Sequence, residues 1–336
     1  MNTPPPRFIS VIIPTYNRLS MLRQTIESLM QQTYPADHYE LIVVDDGSTD
    51  GTFAYLEELT EGQRLRAIHQ TNSGPAAARN TGVQAAKYEW LAFTDDDCCV
   101  NPDWLTSLAR FLTPQCAVGG PIIPAGSSHW LHRFFLASGC THPQQPDGAV
   151  KTLFSCNMAL HRRDLSAVGG FDATFVHAGG EDLDLSYRLL AQGITLTCVS
   201  GAFLYHEYPT HWLAFTRHFW SHGQGMGVVF SKWPHQAPPG LAQQGKRRLT
   251  AWWGGSPLFP LLLAFWQLLM CLGYSLLRLP QIVRLQWRRS GRSIDQGLVN
   301  AFLSAYVLIV EQSGLVAGTY RWERLQRCQR DERMQL

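Results

Sequence analysis

Along the first hundred residues, short apolar runs alternate with stretches whose apolar positions recur every three or four residues. Phe8–Ile13 is a β-branched run that predicts a strand, closed by Pro14. Leu22, Ile26 and Leu29 then fall at helical spacing, and Pro35 ends that stretch. Glu40–Val44 predicts a second strand, stopped by the turn-forming Asp45-Asp46-Gly47-Ser48. Thr52–Leu59 reads as a helix and Leu65–His69 as a third, short strand. Pro75–Ala86 is Ala-rich and helical, with Pro75 in the first turn. Trp90–Thr94 is a fourth strand and runs into Asp95-Asp96-Asp97. Apolar strands separated by helices predict a parallel sheet covered on both faces. On such sheets ligands gather at the carboxyl ends of the strands. Pro14 to Asn17, Asp45-Asp46 and Asp95-Asp96-Asp97 would therefore converge on one edge.

Between about 113 and 200 the pattern is mixed and richer in Gly and Pro. A helix is expected at Asp182–Gln192, ended by Gly193, and a strand at Ile194–Val199. Pro234, Pro238, Pro239 and Gly240 mark a linker. They divide the chain into an N-terminal domain, 1–234, and a C-terminal region, 235–336. Within that region Pro257–Leu277 is 21 residues without a charge, long enough to span a bilayer. Leu298–Val310 is a second, shorter apolar stretch. Lys/Arg clusters flank 257–277 on both sides, which conflicts with a single crossing under the positive-inside tendency. The segment then lies along the cytoplasmic leaflet against anionic lipid, pairs with 298–310 as a hairpin, or is a buried helix of a soluble domain.

Composition sharpens the membrane expectation. Charged residues make up 16% of the chain, below the roughly 25% of soluble globular proteins. The net charge of +2 gives no whole-chain field to attract nucleic acid. The eight cysteines form no CxxC pair and no zinc spacing. The first residues, MNTPPPRFIS, hold no apolar core of a secretory signal. A membrane-associated protein whose N-terminal part faces a reducing cytoplasm is the expectation.

Three carboxylates in a row repel one another unless a cation offsets them. Mg²⁺ and Mn²⁺ take oxygen ligands, often one or two protein carboxylates with substrate phosphates. In a strand-to-loop turn, residues i and i+2 can face one side, which pairs Asp95 with Asp97 and turns Asp96 away. A solvated acidic turn is the plain alternative. Asp45-Asp46 could accept hydrogen bonds from a ribose or base, or could simply form a turn. Arg79, about one turn into the Pro75 helix, could face a diphosphate or stand exposed. Asp182, near a helix start, is placed where an anion is stabilised, as suits a base that must stay ionised. Asp184 and Arg188 have the i,i+4 spacing of a structural ion pair. His206 is a candidate metal or phosphate ligand, or an ordinary hydrogen-bonded histidine. Cys98 and Cys99 read as packing residues.

Six stretches taken in order resemble the family 2 glycosyltransferases. They are Ser10 to Arg18, Val43 to Asp50, Gly74 to Gly82, Phe93 to Asp97, Gly169 to Asp172 and Gly179 to Leu185. The resemblance covers roughly 8–230 and implies the GT-A fold, a Rossmann-like α/β arrangement with a mixed, mostly parallel sheet flanked by helices. It implies a nucleotide-sugar pocket formed by Pro14, Thr15, Tyr16, Asp46, Arg79, Asp95, Asn157 and Glu181. In it Tyr16 stacks near the base, Asp46 binds the base, and Asn157 lines the donor or acceptor site. Asp95-x-Asp97 corresponds to the family's DxD motif. Asp97 is then the main ligand of Mg²⁺ or Mn²⁺, with Asp95 beside it and His206 a further candidate. Asp182 corresponds to the general base of inverting members. The Gln-x-x-Arg-Trp motif of processive members is missing, and His222-Gly223-Gln224-Gly225 stands in its region. Single transfers to a hydroxyl on a lipid-linked or polysaccharide precursor are therefore expected, with membrane lipid as a partner. The rival enzyme reading, a nucleotidyltransferase, lacks its Gly-rich basic loop after the first strand. The other rivals are a phosphoacceptor receiver domain, which gives Glu181-Asp182 no role, and a non-catalytic sugar-nucleotide binder, which leaves the intact acidic set without work to do.

Overall fold

The computed structural model describes residues 7–60, 65–126, 134–135, 147–176 and 178–236, with single positions between 303 and 326. Contacts divide the chain into two compact units, Met1–Tyr208 and Pro209–Leu336.

The first unit is built on β1 (Ile9–Thr15), β2 (Tyr39–Asp45), β3 (Leu65–His69) and β4 (Trp90–Phe93), which lie side by side in the order β3-β2-β1-β4. All neighbouring pairs among them are parallel. Helices α1 (Leu19–Met30), α2 (Thr52–Thr60) and α3 (Pro75–Ala85) connect them. The side-chain period of a strand explains the layering. Ile9, Val11 and Ile13 point to one face and pack with Leu22, Ile26 and Leu29 of α1 and Leu56 of α2. Ile12 points to the other and packs with Ala76 and Ala78 of α3. With both faces covered, these strands need apolar residues at nearly every position. Pro14 does not close β1. It lies within the strand opposite Val44, and β1 continues to Thr15.

Beyond β4 the sheet becomes mixed. A short β5 (Cys98–Val100) follows Asp97, then α4 (Trp104–Phe111), β6 (Cys116–Gly119), β7 (Ile122–Pro124), β8 (Gly148–Ala149) and β9 (Met158–His161). After α5 (Arg162–Ala167) come α6 (Glu181–Ala191), β10 (Thr195–Cys198) and β11 (Leu204–His206). Strand β9 inserts antiparallel between β4 and β6, extending the sheet as β4-β9-β6-β10-β8. A second, three-stranded sheet has the order β5-β11-β7.

The second unit begins with α7 (Trp212–Lys232). Its buried Phe215, Phe219, Gly223 and Gly227 recur every fourth residue and form one face. A Cβ on Gly223 would lie 2.2 Å from the Glu311 carbonyl oxygen, so the two backbones touch there. Thr216 Oγ1 lies 2.8 Å from the Tyr306 hydroxyl on the same contact. Among the described residues no helix is long and apolar enough to cross a membrane. The apolar segment 257–277 lies outside the described residues, and of 298–310 only positions 303, 304, 306, 307 and 310 are described, as helix.

Candidate active site

The carboxyl ends of β1, β2 and β4 lie together because the strands are parallel and in register, Thr15 opposite Asp45. The loop after β1 is pinned to the loop after β2. Asn17, at φ 52°, accepts from the Thr49 backbone N–H at 2.7 Å, and its own N–H donates to Ser48 Oγ at 2.8 Å. Tyr16 is left 48% exposed at this edge, its ring available to a base.

The two acids after β2 do separate work. Asp45 is fully buried and meets His69 Nδ1 at 2.7 Å. Asp46 accepts three hydrogen bonds, from Gln70 Nε2 at 2.7 Å, Ser73 N–H at 2.9 Å and Gly74 N–H at 2.8 Å. A carboxylate has about four acceptor positions. Asp46 thus holds the loop that leads into α3. Gly74 is the hinge of that loop. It sits at φ 89°, and a Cβ there would lie 2.7 Å from the Val176 carbonyl oxygen.

The acidic run splits as i and i+2 spacing predicts. Asp96 is buried and turns back toward β1, accepting from Thr15 Oγ1 at 2.7 Å. Asp95 and Asp97 face the other way. Ligand atoms of Asp95, Asp97 and His206 all lie within 4.8 Å of one another. His206 arrives through the small sheet, where it pairs with Cys98 across β5 and β11. The Glu207 N–H donates to the Asp97 carbonyl at 2.9 Å and locks that register. His206 Nε2 is 3.4 Å from Asp97 Oδ1, while its buried Nδ1 has no hydrogen-bond partner. Adjacent ligands of an octahedral ion with bonds near 2.1 Å stand about 3.0 Å apart. Two carboxylates and one imidazole at these separations fit Mg²⁺ or Mn²⁺.

Two arginines hold the run. Arg79 is buried, which by itself lowers its pKa; Asp95 and Glu181 more than offset this and raise it above the ordinary value. It donates to Asp95 at 2.6 Å and Glu181 at 3.2 Å and stacks over Phe171. Arg79 is therefore not exposed. Its guanidinium is spent on two carboxylates and acts on the site through them. Arg18 is a member of this charge cluster that sequence reasoning left without a role. It is 49% exposed and spans Asp97 at 2.5 Å and Asp96 at 3.1 Å. Asp97 is the first cause of its raised pKa. Burial pushes the Asp96 carboxyl up to about 7, helped by Asp97 and Asp95 against Arg18. Burial would also raise Asp97, yet His206 and Arg18 hold it below the usual carboxylate range.

Asp182 lies in the first turn of α6, after Gly179 and Gly180, both at positive φ. Glu181 closes that turn, accepting from the Gly179 N–H at 2.8 Å. Asp184 and Arg188 form the expected i,i+4 pair at 2.8 Å. Asp182 belongs to the same electrostatic neighbourhood as the run. The Cys156 thiol hydrogen-bonds with Cys98, which favours its thiolate, but burial and the charges of Asp95, Asp182 and Asp97 raise it. Asn157, expected to line the donor or acceptor site, has its side chain engaged by protein partners. It is buried, accepts from Trp104 Nε1 at 2.9 Å and donates to the carbonyls of Ala202 at 2.8 Å and Pro121 at 3.2 Å. Its amide ties the two sheets together.

Comparison with known proteins bears on this arrangement. The profile described as "Glycosyl transferase family 2" matches residues 10–168, and "Glycosyl transferase family group 2" matches 90–310. The chain is 30% identical over 239 residues to a chondroitin synthase of Escherichia coli, covering 60% of this chain and 35% of that one. It is 32% identical over 230 residues to a pre-mycofactocin glycosyltransferase of Mycobacterium tuberculosis, covering 63% and 46%. It thus spans about a third to a half of these two relatives' own lengths. Among solved structures, the mannosyltransferase PcManGT of Pyrobaculum calidifontis, in complex with GDP-Man and Mn²⁺, superposes with a TM-score of 0.57. That match has 20% identity and covers 94% of this chain and 86% of the other, so it speaks to the fold.

Proposed function

Because the chain belongs to the family 2 glycosyltransferases, we propose that it transfers a sugar from a nucleotide-diphosphate donor to an acceptor hydroxyl, with inversion at the anomeric carbon. The observation that carries this reading is the gathering of Asp95, Asp97 and His206 at the strand ends, with Asp182 in the first turn of α6. Asp95, Asp97 and His206 are the residues that would hold Mg²⁺ or Mn²⁺. When bound, such an ion supplies positive charge to offset the diphosphate leaving group.

The chain's own residues do the rest. Tyr16 offers an exposed ring to the nucleobase, and Thr15, with Pro14 before it, backs the pocket. Arg79 keeps Asp95 and the start of α6 in fixed relation. Asp182, stabilised as an anion at the helix start, takes the proton from the acceptor hydroxyl as its oxygen attacks the anomeric carbon. One displacement inverts the configuration, so no second carboxylate is needed as a nucleophile; retaining hydrolases require one.

The test is a panel of UDP-, GDP- and dTDP-sugars with Mn²⁺ or Mg²⁺ and lipid extract. Turnover of one donor is expected only with metal, and Asp97→Ala should lower it at least a hundredfold, the scale on which loss of one electrostatic stabiliser is felt. Metal-independent turnover, or full activity in that variant, would refute the mechanism.

The acceptor we propose is a lipid-linked or polysaccharide precursor, with the protein at the inner or plasma membrane and its catalytic unit on the cytoplasmic side. The charge-free run 257–277 and the flanking Lys246-Arg247-Arg248, Arg278 and Arg284 support this placement.

A further inference from the structure

A second set of ligands adjoins the first and has a different chemistry. Cys98 and Cys156 are buried, unoxidised and hydrogen-bonded to each other. Their sulfurs and a ring nitrogen of His206 lie within 4.8 Å of one another. Asp97 Oδ1 stands at the rim of this group, 3.8 Å from Cys98 Sγ and 3.4 Å from His206 Nε2. A tetrahedral zinc ion has bonds of about 2.3 Å to sulfur and about 2.0 Å to nitrogen, so its ligands sit about 3.3–3.8 Å apart. The set therefore closes around such an ion with shifts on the order of 1 Å. Two sulfurs and one imidazole suit a thiophilic cation, whereas Asp95 and Asp97 suit a hard one.

We propose that Cys98, Cys156 and His206 form a site for a thiophilic divalent cation such as Zn²⁺, and that filling it takes His206 away from Asp95 and Asp97. The two thiols bind as thiolates and release two protons to solvent. The fourth position falls to Asp97 or water. Two divalent ions a few ångströms apart repel strongly. Because both groups draw on His206, occupancy by Zn²⁺ at the thiols and by Mn²⁺ at the carboxylates is mutually exclusive. The binding itself is independent of the proposed transfer reaction; only its inhibitory consequence rests on that reading.

The experiment uses the purified full chain with Co²⁺ as a spectroscopic substitute for Zn²⁺. Co²⁺ should produce the intense near-ultraviolet absorption of sulfur-to-cobalt charge transfer, and Zn²⁺ should bleach it. The double variant Cys98→Ser, Cys156→Ser should lose that band while binding Mn²⁺ within about threefold of wild type by electron paramagnetic resonance, about 0.65 kcal/mol at 1.4 kcal/mol per tenfold. Zn²⁺ should release bound Mn²⁺ from the wild type at lower concentration than from the variant, where it can compete only at the carboxylates and His206. A cobalt spectrum without sulfur character, or a band that survives in the variant, would overturn the proposal. Should the variant fail to fold, X-ray absorption of the zinc-loaded wild type decides: two sulfur neighbours support the site, and none refutes it. Absence of sugar transfer in the same preparation would count against the proposed reaction and leave these binding results to be read independently.

Discussion

Each acid of the run is defined by its partner. Asp97 meets Arg18 and His206, Asp95 meets Arg79, and Asp96 meets Thr15. This division of labour makes opposite predictions for neighbouring residues. Asp182→Asn removes the proton acceptor and leaves the helix start isosteric. Donor binding, followed by thermal shift with nucleotide diphosphates, should be unchanged while transfer falls by at least the 10²–10⁴-fold typical of a lost general base. Lost binding with retained turnover would contradict the assigned role. Arg79→Met should instead unfold the protein more easily. It strands Glu181, which is nearly as buried as Arg79 itself, and breaking a buried pair from one side costs about 3–5 kcal/mol. Urea denaturation of the two proteins measures that difference; an unchanged midpoint would show that Arg79 holds nothing together.

Helix α3 shows how packing can outweigh propensity. Gly82 sits inside it, where an exposed Gly→Ala change would gain roughly 1 kcal/mol. Here the added methyl would lie 2.4 Å from Ile12 Cγ2 and 3.3 Å from Val44 Cγ2, both in the core. Overpacking typically costs about 1–3 kcal/mol, so Gly82→Ala should be net destabilising, a lower denaturant midpoint being the readout. The elements of the first hundred residues were legible because each carries its own local signal. Leu65–His69 is a strand over the expected residues, and Glu181–Ala191 begins one residue before its expected start. Strand β9 had no such signal. Met158–His161 is four residues long, and only its pairing between β4 and β6 makes it a strand. The same limit applies to the site. The DxD spacing is local and readable, whereas Asn157 and Arg79 carry motif identities whose orientation depends on distant partners. Trp104 and the carbonyls of Pro121 and Ala202 consume Asn157, and Glu181 lies 102 positions from Arg79.

At the scale of the whole molecule, the two compact units pose different physical problems. The first needs no membrane to explain its burial, since its strands are covered on both faces. The second contains the charge-free run and the basic clusters. Full-length protein should therefore float with vesicles containing anionic lipid. About 1 kcal/mol per surface Lys or Arg is at stake, and salt should weaken the attachment. Protein that stays at the bottom of the gradient at low salt would refute the membrane placement. The pairing of β11 with β5 has a further consequence, for the order in which the protein is made. Asp95 and Asp97 leave the ribosome long before His206, which must return across more than a hundred residues to meet them. A growing chain that has not reached residue 206 holds Asp95 and Asp97 without the imidazole that meets them in the folded unit. The four parallel strands can consequently close on their own apolar contacts, and a cation that uses the proposed ligand His206 could consolidate the site only after the last strand of the small sheet has been synthesised.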